Sequence, residues 1–377
     1  MSETQYHYQW RTPRAHEGFR TGVSLHSHTM HSHENLGFIP RFAVKIPVVR
    51  DAVAAKERDY ERRNGRKLDY TSSYWTPPLS EREAVKLEAG QIENGLGLKA
   101  LVSITDHDNI EASNHLHLFE EYRNAPVSVE WTVPYGASFF HLGIHNLPRA
   151  AAHEWIGHLA AFTAEPKEPV LRELLEALCD MPDVLVVFNH PMWDEKGLGG
   201  NIHRELAHDF MRKYGVFMHA LEINGMRPWS ENKAAIDFAK LSGHPILSGG
   251  DRHGSEANVL INLTNAATFE EFIQEVRKQK RSEVMLLNQY REPHRLRYAE
   301  AIWDVMRDYP GHAGRERWTD RFFFRTKTGV DAPLSSVWHG NGPGICGAFL
   351  SLMRFLNSRH LRSTLRLAMK DSSEVLP

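Results

Sequence analysis

Thr21-Gly-Val-Ser-Leu-His-Ser-His28 is a short apolar, β-favouring run that ends directly in two histidines. Residues two apart on an extended chain point to the same side, so His26 and His28 can grip one ion. A lone His-x-His pair is weak evidence, because paired histidines are common on surfaces. Here the same device recurs downstream. Ala-Leu-Val-Ser-Ile runs into Thr105-Asp-His-Asp108, and two further strands carry Glu130 and His141. Asp-Val-Leu-Val-Val-Phe ends in Asn189-His-Pro191, another strand in Glu222-Ile-Asn224, and His-Pro-Ile-Leu-Ser-Gly-Gly in Asp251-Arg-His253.

The spacing of these runs sets the expected fold. Strands are expected at about 21–28, 100–106, 127–133, 139–145, 183–189, 217–223 and 245–250. Helical patterns fall at about 80–94, 109–123, 169–180, 201–214, 230–241 and 268–280. This β-α alternation gives the α/β class, with parallel strands joined by crossover helices in a closed or nearly closed barrel. The runs at 127–133 and 139–145, joined by a short turn at Tyr135–Gly136, read instead as a hairpin or a bulged edge. In a parallel barrel the carboxyl ends of the strands meet on one face, so ligands far apart in sequence converge there.

Two segments break the rhythm. The stretch of about 37–80 is charge-rich, with nine Lys/Arg against four Asp/Glu between Arg41 and Lys67. It reads as a solvated insertion, partly helical around Asp51–Arg63, or as a lid whose cations, Arg62 and Arg63 among them, meet an anionic substrate. Residues 284–377 form a mostly helical extension to the 1–283 barrel, with helices at 295–307, 344–356 and 359–370. That extension would pack on the barrel or on a second subunit of a homo-oligomer.

Composition narrows the function classes. Of 377 residues 41% are hydrophobic and 24% charged, as expected of a soluble globular protein. The net charge of -2 and the lack of a basic, aromatic-interleaved stripe speak against nucleic acid and anionic membranes as partners. Two cysteines, Cys179 and Cys346, build no disulfide framework, and Cys179 is expected as a buried thiol. No secretory leader or membrane span is legible, so a cytoplasmic location is expected. Histidine, at 23 residues, is the outlier.

A mixed imidazole and carboxylate set without cysteine suits zinc, manganese or iron. Nine candidates are too many for one ion with about four ligands, so two or three divalent ions are expected. Glu130 is the natural bridge, because a carboxylate offers two oxygens and an imidazole one lone pair.

The ordered set of His-x-His, Thr-Asp-His-Asp, a Glu with a His eleven residues on, Asn-His-Pro and Gly-Asp-x-His resembles the polymerase and histidinol phosphatase (PHP) family of metallophosphoesterases. The resemblance spans roughly residues 20–280. It implies a distorted (β/α)7 TIM-like barrel, a trinuclear site and a phosphoester substrate. It further implies His26, His28, His107, Glu130, His141, His190, Asp251 and His253 as metal ligands. Where the family shows Ser-Asp-Gly this chain has Ser32-His33-Glu34, which makes His33 a ninth candidate and His31 its rival. The last hundred residues have no counterpart in the minimal family domain.

The expected activity is hydrolysis of a small phosphorylated metabolite or nucleotide by a metal-bridging hydroxide. Asp106, Glu130 and Asp251 are the expected catalytic carboxylates, Asp106 by orienting a ligand histidine. Arg227 and Arg252 are candidates for gripping phosphate. The replacement of an Asp by neutral His33 would leave the pocket one charge more positive. An amidohydrolase-like C–N hydrolase is the alternative, although its usual carboxylated-lysine bridge is missing; a metal-binding scaffold without activity is a third reading. Asn189 is expected to buttress the loop before His190 and His145 to be a spare polar residue. His115, His117, His153, His158, His203 and His208 are expected as bystanders.

Overall fold

A computed structural model of the chain describes residues 3–37, 47–65, 67, 70–326, 328–338, 342, 344–369, 374 and 376–377. Seven strands stand where the sequence pattern puts them: β2 (Thr21–Ser27), β5 (Lys99–Val102), β6 (Val129–Tyr135), β7 (Ser138–His145), β8 (Leu185–Asn189), β9 (Ala220–Asn224) and β10 (Ile246–Arg252). Three more extend the same sheet: β1 (Glu3–Tyr8), β11 (Leu260–Thr264) and β12 (Arg281–Leu286). The order is β1-β12-β11-β2-β10-β9-β8-β7-β6, with β5 also on β2.

β2 is the branch point. Val23 pairs with Leu101 of β5 and with Asn262 of β11, so those strands occupy opposite edges. Further along, Leu25 and Ser27 pair with β10, which takes over the edge that β11 leaves. β2, β10, β9 and β8 run parallel, whereas β7 is antiparallel to both β8 and β6. The expected hairpin at 127–145 is therefore present. Of the closed or nearly closed barrel that was expected, the ladders among the described residues do not form the closed form. The chain beyond β5 meets β6 at a single bridge, His107 to Glu130, flanked by Asp108 N–H to Glu130 O at 3.0 Å and Glu130 N–H to Asp106 O at 3.2 Å. Asp108 then turns left-handed, at φ 52°, and its Oδ1 accepts from Thr132 N–H of β6 at 2.8 Å.

Burial explains these strands. Leu185–Asn189 is buried at every position, as a strand covered on both faces requires. Trp131, Leu142, Ile144, Phe188, Leu221 and Phe210 belong to one continuous core between sheet and helices. The helix Glu81–Leu96 starts at Ser80, which shares a capping box with Glu83, and stops at Gly97 in the left-handed region. Helices Glu168–Asp180, Gly200–Tyr214 and Trp229–Ser242 match the sequence pattern; Ala152–Ala164 was not anticipated, and the 268–280 pattern is α-helical only over Phe269–Gln274.

The insertion and the tail meet in a second sheet. β3 (Glu34–Asn35), β4 (Tyr74–Trp75), β13 (Phe322–Arg325) and β14 (Asp331–Pro333) pair in the order β14-β13-β4-β3. These strands are too short to carry a periodic signal, and apart from the β13–β14 hairpin their pairing is non-local. The insertion helix spans Pro47–Asn64, while residues 38–46, 66, 68 and 69 of the expected lid lie outside the described residues, as does the Arg63 side chain. Arg62 is exposed and pairs with Asp59 of its own helix. The tail helices His294–Met306, Gly344–Leu356 and Arg362–Ala368 match the expected positions. Among the described residues no helix is long and apolar enough to cross a membrane.

Candidate metal centre

Glu130 is the hub of the site. Its side chain is about 1% exposed, and five imidazoles face its two oxygens. Oε2 lies 3.0 Å from His26 Nε2, 3.3 Å from His28 Nε2 and 3.5 Å from His107 Nδ1. Oε1 lies 3.2 Å from His190 Nε2 and 3.5 Å from His141 Nδ1. Asp251 closes the other side, with Oδ1 3.6 Å from His26 Nε2, 3.5 Å from His28 Nε2 and 3.8 Å from His253 Nδ1.

Apart from the His190–Glu130 contact, which is a hydrogen bond, these separations fit shared ions better than hydrogen bonds. Two atoms each ~2.1 Å from one ion at a tetrahedral angle are ~3.4 Å apart. His26 Nε2, His28 Nε2 and Glu130 Oε2 are buried and have no hydrogen-bond partner among the described residues. Buried polar atoms are ordinarily satisfied, so three orphans aimed at one point fit a cation there. Four overlapping groups have the geometry to hold ions: His26–His28–Glu130, His26–His190–Asp251, His28–Asp251–His253 and His28–Glu34–His107.

The backbone pays attention to this point too. His26, His190 and Asp251 have φ values of 65°, 27° and 52°, a region side-chain-bearing residues seldom occupy. Each turn comes at a strand end and re-aims the side chains that follow. The β10–β2 register also slips between Gly249 and Arg252, as at a bulge. His141 lies near the start of β7, opposite Asn189 of β8. Because β7 is antiparallel, its beginning reaches the rim where its parallel neighbours end.

The electrostatics follow from crowding. Burial raises the Glu130 carboxyl, but His26, His141 and His107 override it and hold it well below the usual range. Burial lowers His26, but Glu130, Glu222 and Asp251 carry it well above its ordinary value. His107 is likewise raised against burial, by Glu34 and Glu130. His141 goes the other way, held well down by burial, with His107, His190 and His26 adding to the effect. Binding an ion must therefore displace protons from some ligands.

Several expectations need correction. His33 is exposed and stacks on Tyr74, ring centroids 4.1 Å apart, away from the cluster. Its neighbour Glu34 faces inward instead, with Oε2 3.4 Å from His107 Nε2 and 3.3 Å from His253 Nε2. Ser32 Oγ donates to Glu34 Oε1 at 2.6 Å and fixes it. In β3 Glu34 takes the buried face and Asn35 the exposed one, while His33, just before the strand, is engaged by its stack on Tyr74 of the paired β4. The pocket thus gains an anionic carboxylate where a neutral ring was expected.

Arg252 is buried and points away, its Nε 2.9 Å from Glu88 Oε1, so it is not placed to touch phosphate. Arg227 is at the rim, with Nη2 3.1 Å from Asp251 Oδ2 and its guanidinium 3.7 Å over the Trp193 ring. Asp106 accepts from Thr29 N–H at 2.6 Å and Thr29 Oγ1 at 2.7 Å. It pins the loop after His28 and makes no hydrogen bond to a ligand imidazole among the described residues. Asn189 does more than buttress a loop, since its Nδ2 donates to Glu130 Oε1 at 3.0 Å. His145 stays outside the cluster on Ser103, and burial depresses it to about 3.

Glu222 was named at a strand end in the sequence reading but given no role, and the structure places it behind His26. It accepts from His26 Nδ1 at 2.7 Å and so leaves Nε2 as the ligand atom. The signal was its place at a strand end two residues before Asn224, whose Nδ2 donates to it at 2.8 Å. Gly249 makes room, because a Cβ there would overlap the Glu222 carboxylate and lie 2.9 Å from His26 Cβ. Trp75 of β4 covers the opposite flank, its ring 5.5 Å from that of His253.

No family model matches the chain, and no curated protein matches it. Solved structures do. PsfC from Pseudomonas syringae is similar at 16% identity and a TM-score of 0.37, over 55% of this chain and 84% of that one. A candidate metal-dependent phosphoesterase from Bifidobacterium adolescentis gives 14%, 0.34, 53% and 91%. An amidohydrolase from Chromobacterium violaceum, with sulfate bound and no metal, gives 14%, 0.32, 48% and 84%. At these identities and TM-scores the likeness carries no function to this chain.

Proposed function

We propose that this chain is a metal-dependent phosphoesterase of the PHP type, acting on a small phosphorylated metabolite or nucleotide. The sheet would be a distorted (β/α)7-like barrel whose rim, with β7 reversed, carries two or three divalent ions. The observation that supports this most is the convergence of the orphaned His26 Nε2, His28 Nε2 and Glu130 Oε2 on one buried point. The ordered PHP-like motifs add to it.

His26, His28, His107, Glu130, His141, His190, Asp251, His253 and, in place of His33, Glu34 would hold the ions. Bound divalent ions would acidify a water and offset charge on phosphoryl oxygens. The rest falls to the chain. Glu222 and Asn189 fix His26 and Glu130, so the ligand atoms need not reorganise. Arg227, stacked on Trp193 with its Nε 3.9 Å from Glu231 Oε1 and making no hydrogen bond among the described residues, would exchange these contacts to fork onto a phosphate oxygen pair. Trp75 and Trp193 would keep bulk water from the flanks.

Metal analysis and hydrolysis of p-nitrophenyl phosphate test the reading together. Manganese- or zinc-supplemented protein is expected to carry at least two ions per chain and to release nitrophenol, and Asp251→Ala should abolish that release. Fewer than one ion per chain, or turnover of amides but of no phosphoester, refutes it.

A further inference from the structure

A second cluster of metal-binding side chains stands apart from the Glu130 hub. His31 Nε2 lies 3.1 Å from Glu81 Oε2, and the His115 ring meets the His31 ring at 4.7 Å between centroids. One ligand atom from each of His31, Glu81 and His115 lies within 4.8 Å of the others. The residues come from three elements: the loop after β2, the first residue of the helix Glu81–Leu96, and the last turn of the helix Glu111–Leu116. No ligand of the central cluster belongs to this group.

We propose that His31, Glu81 and His115 form an outer, mononuclear transition-metal site, for which zinc is the best-suited ion. Two imidazoles and one carboxylate with a free position for water are an ordinary zinc donor set. His31 and Glu81 are largely covered, at 14% and 11% side-chain exposure, and already stand at a separation that two ligands of one ion adopt. His115 is exposed and free to swing a few tenths of an ångström on its helix. The site has a structural consequence. His31 sits three residues before Glu34 in the loop that brings Glu34 to the centre, and its carbonyl accepts from Asn109 Nδ2 at 2.9 Å. The same Asn109 Nδ2 donates to the His107 carbonyl at 2.9 Å. An ion at the outer site would staple this loop to two helices and so hold Glu34 and His107 in register.

The test counts ions and does not depend on catalysis. Metal-stripped full-length protein, the His115→Ala and Glu81→Gln variants, and a His158→Ala surface control are dialysed against the same micromolar buffered zinc. Wild type and the control are expected to hold one zinc per chain more than either variant. In wild type and the control, zinc should also slow backbone hydrogen exchange across residues 28–37 relative to His115→Ala. Equal zinc in all four proteins overturns the proposal. Should a variant fail to fold, anomalous diffraction at the zinc edge from wild-type crystals decides. A peak among the three side chains supports the site, and peaks confined to the Glu130 cluster overturn it.

Discussion

Replacing Glu222 by glutamine probes whether the centre is tuned from behind its ligands. Glu222 is buried, touches no candidate ion position, and accepts from His26 Nδ1 at 2.7 Å while Asn224 Nδ2 holds its other oxygen at 2.8 Å. Glutamine has the same shape and retains one acceptor oxygen, but loses the charge that makes Nε2 a stronger donor to metal. Changes of this kind lower metal affinity by roughly 10–100-fold, or about 1.4–2.7 kcal/mol. Competition between metal-stripped protein and a chromophoric chelator for zinc reads the shift directly. Gly249→Ala reaches the same contact by another route, because its Cβ would displace the Glu222 carboxylate without removing any charge or ligand. Both variants should weaken zinc binding while keeping the wild-type circular dichroism spectrum. Zinc affinity within twofold of wild type in Glu222→Gln, with the fold intact, refutes the reasoning.

Two further perturbations separate structural from chemical roles. Arg252→Met leaves Glu88 buried without its partner and should destabilise the chain by about 3–5 kcal/mol, with KM for a phosphoester unchanged; a higher KM at wild-type stability would return Arg252 to phosphate binding. Glu256 is pushed up to about 7, by burial first and by Asp304 next. Its folded value lies above its unfolded one, so its contribution is fully present below about pH 4.5 and is lost as pH rises through about 7. Glu256→Gln does not titrate, and should exceed wild-type stability by roughly 1–3 kcal/mol at pH 8 but by less than about 1 kcal/mol at pH 5. Urea unfolding of both proteins at the two pH values checks this, and parallel pH profiles would count against it.

What was legible in the sequence was what repeats locally. Apolar runs such as Leu185–Asn189 and the capping box of Ser80 and Glu83 each declare an element within a few residues. The histidines and carboxylates at the ends of those runs were legible for the same reason. The small sheet was not, because Glu34–Asn35 and Tyr74–Trp75 are two residues each and gain definition only by pairing with each other and, through Tyr74–Trp75, with Phe322–Phe323 of the tail. His33 was preferred to Glu34 because it stands where the resembled family shows Asp; which of these adjacent residues faces inward depends on β4, a partner strand far away in sequence. The branch at β2 was hidden similarly, since Thr21–Val23 and Leu25–Ser27 change neighbours on one edge within a single unbroken apolar run.

The left-handed turns at His26, His190 and Asp251 bear on how the centre is built. Such residues are strained by roughly 1–3 kcal/mol each, a sizeable load for a domain whose net stability is on the order of 5–15 kcal/mol. All three sit where a strand ends at the cluster, and all three carry side chains that face it. In a chain whose ligands assembled only around an ion, strain of this sort would have no partner before the ion arrived. Here the partners are protein groups: Glu222 on His26, Asn189 and Glu130 around His190, and Asn224 and Arg227 on Asp251. The carboxylates attract the imidazoles in advance, and the surrounding hydrogen bonds fix their directions. The cluster is therefore set by the fold, so on the proposed reading the free energy of metal binding would go into the ion's coordination rather than into ordering the loops that carry these side chains.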